Sequence, residues 1–160
     1  MINQKELAKA FARNTNIVKS QAKDLTHEES LIQPPFRGNC LNWVLGHLVA
    51  NHDDILEMLG EPRLYEGRLE RYKRESEPLT QEDQGTIRLE ELLTWFESGQ
   101  VKISECLDHT DDAALGREVI SGEHTSTVAQ RVFFYYFHET YHVGQTELLR
   151  QLAGKNDKVI

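Results

Sequence analysis

Cysteine is scarce in this chain: Cys40 and Cys106 are its only two, far apart, and no CxxC pair occurs. That excludes a disulfide framework and a cysteine-based zinc site, and it suits a reducing cytoplasm. A basic stripe is also missing. With 18 Lys and Arg against 26 Asp and Glu, the formal charge is −8, which argues against a nucleic-acid partner held by phosphate contacts. No apolar stretch approaches the roughly 18 residues of a membrane span. The amino-terminal MINQKELAKAFARN is amphipathic and polar, without the apolar core of a secretory signal. The expectation is a soluble cytoplasmic protein that does not engage a membrane. Alternating strand patterns, internal repeats and low-complexity tracts are absent too, so the expected fold class is all-α.

What is present is helical periodicity. A first helix is expected from about Gln4 to Leu25, with Leu7, Phe11, Val18, Ala22 and Leu25 on one stripe. PPFRGN then interrupts it, and Asn39 is positioned to cap a second helix that runs to Leu59 before Gly60. Residues 61–85 read as a long connection, with a short helical piece near Leu69 to Lys73. A third helix is expected from Ile87 to Asp108, with Leu89, Leu92, Phe96, Ile103 and Leu107 facing inward. The fourth starts after SGEHTST, capped by Ser126 or Thr127, and continues to Ala153 before Gly154. Apolar residues surround most of it, so it is expected to be the most buried. At 160 residues the chain is expected to be one domain, residues 1–160, built as a four-helix bundle with enough core to fold without a metal staple. A metal would then serve function.

The chemistry sits in the last helix. His138 and His142 in FFYYFHETYHVGQ are four residues apart, which places both imidazoles on one helix face, one turn apart and able to approach one cation. Two core histidines paired to Glu or Tyr would satisfy the same pattern. A third donor would come from NWVLGHLVANHD in the second helix, which offers His47 and His52. The stripe Leu41, Val44, Leu45, Leu48, Ile55 and Leu59 has His52 near its centre, whereas His47 lies about 100° from that centre beside Trp43, Asn51 and Met58. Periodicity favours His52, yet the His47 face is too apolar for plain exposure. Both remain open on the residues alone.

WVLGHL in the second helix together with HETYHVGQ in the fourth resembles the DinB/YfiT-like family of metal-binding four-helix bundles, which includes thiol-dependent transferases. The resemblance implies that His47, His138 and His142 bind one divalent metal, zinc or nickel, that a low-molecular-weight thiol is a cosubstrate, and that the protein is a homodimer. Three histidines leave coordination positions open, as in catalytic rather than structural zinc sites.

Gln145, one turn beyond His142, is a candidate to orient a ligand, with a backbone-satisfied buried amide as the alternative. Arg131, two turns before His138, is a candidate clamp for a substrate carboxylate or phosphate. A structural ion pair is the alternative there. Glu139 lies about 100° around the helix and reads as a surface or interhelical acid. His27, His109 and His124 fall near loops or helix ends and read as solvated, and the two cysteines read as space-filling. Phe133, Phe137, Gly144 and Leu148 form a second apolar face on the fourth helix, suited either to another helix of the same subunit or to a homodimer.

The resulting expectation is a metal-dependent enzyme that transfers a small thiol to an electrophilic small-molecule substrate. Its rivals are a hydrolase using metal-activated water and a non-catalytic metal sensor or interaction module, whose site a fourth protein donor such as Asn51 or His52 would close.

Overall fold

A computed structural model describes residues 3–122 and 124–159 of the chain; the first two residues of the amphipathic amino terminus lie outside them. Helix α1 spans Gln4–Ala22, and the Asn3 side chain caps it by accepting the N–H groups of Lys5 and Glu6. It stops short of the expected Leu25 because Asp24 adopts a left-handed backbone, φ 61°, which a helix cannot continue. Thr26 and Glu29 then form a reciprocal capping box that starts the one-turn α2, His27–Ser30.

Helix α3 spans Leu41–Met58. Cys40, not Asn39, occupies its cap position and makes no side-chain bond there. The long connection follows, with a single 3₁₀ turn at Glu70–Tyr72. It is pinned at several points: Asp53 accepts the N–H groups of Leu64 and Tyr65, and the buried Tyr72 donates its hydroxyl to Asn42 and accepts the Ile87 N–H. Helix α4 spans Leu89–His109 and the short α5 spans Asp112–Gly116.

Two strands, β1 Glu118–Ser121 and β2 His124–Thr127, pair antiparallel with Glu118 opposite Thr127. This hairpin corrects the expectation of a chain without strands; each strand is only four residues, the shortest length over which alternation registers. Thr127 and Gln130 form the capping box of α6, Val128–Leu152.

The four long helices pack in a ring, with α1 against α4, α4 against α3, α3 against α6 and α6 against α1. This is a four-helix bundle. Helix α3, rather than α6, is the most enclosed: fourteen of its eighteen residues are buried, against seven of twenty-five in α6. The long connection covers α3 on the side its neighbours leave open, whereas α6 leaves Phe133, Phe137 and Leu148 at 43%, 62% and 44% exposure. Among the described residues no helix is long and apolar enough to cross a membrane.

Candidate metal centre

His47 and His52 are five residues apart, so they leave α3 about 140° apart and meet different neighbours. His52 points to the middle of the bundle. Its Nε2 lies 2.7 Å from the Glu139 carboxylate, its ring stacks on Phe96, and both members of the pair are buried. The space comes from Gly99, where a Cβ would lie 2.6 Å from His52 Nδ1. Glu139 is thus an interhelical acid joining α6 to α3. His27 is likewise buried, with Nδ1 accepting the Leu89 N–H, which corrects its reading as solvated. His109 and His124 are exposed.

His47 points instead to the crevice between α3, α6 and the long connection, where it meets His138 and His142. One nitrogen from each of the three lies within 4.8 Å of the others. The ring centroids are 5.2, 5.4 and 4.5 Å apart for the pairs 47–138, 47–142 and 138–142. Each ring is held by its Nδ1. His47 meets the Tyr72 carbonyl at 3.0 Å, His138 meets the Asn51 amide at 3.1 Å, and His142 meets Gln145 Oε1 at 2.7 Å. Trp43 stacks on His47 at 4.9 Å. The Nε2 atoms are therefore left for the shared space, and those of His138 and His142 stand 3.2 Å apart.

This donor set fits a divalent cation. Metal-ligating histidines characteristically engage their second nitrogen with a carbonyl or similar partner, which fixes the ring. Ligation also needs neutral imidazole, and burial lowers the pKa of all three; for His138 the neighbouring His142 and His47 and the charge of Arg74 add to it, bringing the value to about 4. No carboxylate or thiol joins the cluster among the described residues. The proposed closing donors are engaged elsewhere, His52 with Glu139 and Asn51 with Nδ1 of His138.

A cleft of about 810 Å³ opens beside the cluster, lined by His47, His138, Arg131, Tyr135 and residues of the long connection. Arg131 stands in this cleft with its guanidinium 5.0 Å from the Phe134 ring and 5.3 Å from that of Tyr135. Gln145 addresses the His142 ring rather than the cleft. The cysteines are not among the residues lining the cleft: both are buried, burial raises both thiols, and Cys40 bonds to the Leu79 carbonyl. Sequence reasoning passed over the Tyr72 carbonyl, which carries no side-chain signal, and offered Asn51 only as a closing donor under the rival sensor reading. Its position one turn after His47 does place it on the same face.

Comparison with curated proteins gives no match. A conserved protein from Enterococcus faecalis, known from its crystal structure, superposes with a TM-score of 0.75 over 96% of this chain and 98% of its own, at 16% identity. That likeness concerns the fold. The sequence pattern of the DinB superfamily matches residues 10–146, a span holding α3 and α4 whole, most of α1 and α6 and the three clustered histidines, and this chain belongs to that superfamily.

Proposed function

We propose that the chain is a divalent-metal-dependent enzyme that uses His47, His138 and His142 to transfer a small thiol to an electrophilic substrate. The observation that carries this reading is the convergence of three ring-fixed histidines beside an open cleft. A cleft of about 810 Å³ falls in the range typical of small-molecule sites. A divalent ion held there supplies Lewis acidity, lowering the pKa of a thiol or water that joins it. The protein's own part is to keep the three imidazoles neutral and aimed through Tyr72, Asn51 and Gln145, and to present the substrate along the wall that carries Arg131 and Tyr135. Zinc and nickel both suit three imidazole donors. A homodimer built on the exposed face of α6 belongs to the same reading, supported by the exposure of Phe133, Phe137 and Leu148.

Metal analysis of untagged protein purified without nickel resin tests the centre. Wild type and His52→Ala are expected to hold one metal per chain, while His47→Ala and His142→Ala lose it. Metal retained by His47→Ala refutes the assignment. A panel of thiols with a chromogenic electrophile then tests the chemistry: a sulfur-containing product is expected, and turnover that proceeds equally without thiol identifies a hydrolase instead.

A further inference from the structure

The charges that line the cleft are unequally engaged. Asp53 is buried and accepts two backbone N–H groups of the long connection. Asp54 pairs with Arg63 at 2.7 Å and accepts the Tyr135 hydroxyl at 3.1 Å. Glu70 pairs with Lys73, and Glu66 is exposed at the rim. Two cations remain. Arg131 is half-buried against its two aromatic rings and has no carboxylate within ion-pair distance among the described residues. Arg74 has only its sequence neighbour Glu75, at 3.9 Å with both side chains in water. A guanidinium confined on a cleft wall with the Tyr135 hydroxyl beside it but no carboxylate is a receptor for one, because its planar fork matches a carboxylate.

The position of Arg131 adds a length. It precedes His138 by seven residues on one helix, so the two leave the same face of α6 about 10 Å apart along its axis. We infer that Arg131, assisted by Arg74, binds a carboxylate of the ligand, and that this ligand is a thiol carrying its carboxylate on the order of 10 Å from the sulfur. The ligand's sulfur end rests on the thiol-transfer reading above; the carboxylate end does not. A singly charged group is specified because Arg131 offers one confined fork, while the other lining groups, four acids against three cations, disfavour a second negative charge.

Calorimetric titration of zinc-loaded protein with mercaptooctanoate, mercaptooctanol, octanoate and octanol separates the two ends. The carboxylate is expected to tighten binding about ten- to a hundredfold over the matching alcohol, the range of a hydrogen bond to a charged group. Arg131→Gln is expected to abolish that gain and Arg131→Lys to keep part of it, the gain being read in each protein as the ratio of mercaptooctanoate to mercaptooctanol affinity, with an unchanged melting temperature reporting an intact fold. A carboxylate gain that is absent in wild type, or that survives in Arg131→Gln, overturns the subsite. A gain that depends on Arg131 with no advantage of mercaptooctanol over octanol upholds the subsite and defeats the thiol reading. No binding by any of the four defeats both.

Discussion

The side-chain amide of Asn51 donates to Nδ1 of His138 at 3.1 Å, and this sets the proton positions of the whole cluster. With Nδ1 accepting, His138 carries its proton on Nε2 and donates it across 3.2 Å to Nε2 of His142. His142 then holds its proton on Nδ1 and donates to Gln145 Oε1, as His47 donates from Nδ1 to the Tyr72 carbonyl. Nδ1-protonated His47 and His142 each present an unprotonated Nε2; His138 does not. Loading the site requires His138 to move its proton to Nδ1 and Asn51 to turn its amide over, so that Oδ1 accepts.

Asn51 should therefore control metal affinity without touching the metal. Asn51→Asp offers only acceptors and is expected to tighten zinc binding, while Asn51→Leu is expected to weaken it about 10- to 100-fold, the usual effect of removing such a partner. Competition against a chelator of known affinity measures both. Equal affinities for the two variants would show that the amide does not govern the ring.

Acid should destabilise the metal-free protein earlier than carboxylate titration alone would. Burial, with the neighbouring histidines and Arg74, brings His138 from its ordinary 6.5 to about 4, and burial lowers His47 and His142 as well. Between those pH values the unfolded chain binds more protons than the folded one, so this stability is fully present above about pH 6.5 and drains away as the pH falls toward 4. Melting temperature recorded from pH 7 down to 5 should fall in wild type and fall less in His138→Gln. Superimposable profiles for the two proteins would contradict it.

Gly46, immediately before His47, is expected to be intolerant of a methyl group. A Cβ there would lie 2.2 Å from Tyr72 Cδ1, and Tyr72 has nowhere to go, being fully buried with both hydroxyl bonds made. Alanine normally favours a helix by about 1 kcal/mol over glycine. Overpacking costs about 1–3 kcal/mol and should exceed that gain, so Gly46→Ala lowers the urea midpoint. It should also weaken metal binding, because the Tyr72 carbonyl that holds His47 is displaced. Unchanged stability would mean that the 3₁₀ turn yields freely.

The sequence shows the helices well because each long one carries a stripe that a neighbour covers: Leu7, Phe11, Val18 and Ala22 are all buried in α1. It shows the cap of α6 as well, since Thr127 and Gln130 occur at the spacing a capping box needs. It misleads about α6 burial because periodicity registers apolarity and not who covers it; Phe133 and Phe137 are apolar and exposed. The same blindness explains the two histidines of α3. The stripe has His52 near its centre, and His52 indeed faces the bundle axis, but the axis is where Phe96 and Glu139 wait. The histidine cluster lies off that axis, under a connection whose path is set by backbone contacts such as the Tyr72 carbonyl to His47, 25 residues apart. Side-chain pattern holds no trace of such a contact.

The exposed face of α6 gives the last prediction. Phe133, Phe137, Gly144 and Leu148 run along one side of the helix, and at Gly144 no atom beyond its chain neighbours and the helix's own backbone lies within 4 Å of where a Cβ would be. A single chain gains nothing from glycine at this place, since alanine would favour the helix by about 1 kcal/mol. Two copies crossing there would gain a close approach of their backbones, with the phenylalanines removed from water. Sedimentation is therefore expected to find a dimer in wild type and monomers in Phe137→Glu. Gly144→Leu separates the explanations further: it should weaken the dimer while leaving the melting temperature of dilute, monomeric protein unchanged or higher. A wild type that sediments as a monomer at high concentration would remove the dimer and leave this face in need of another partner.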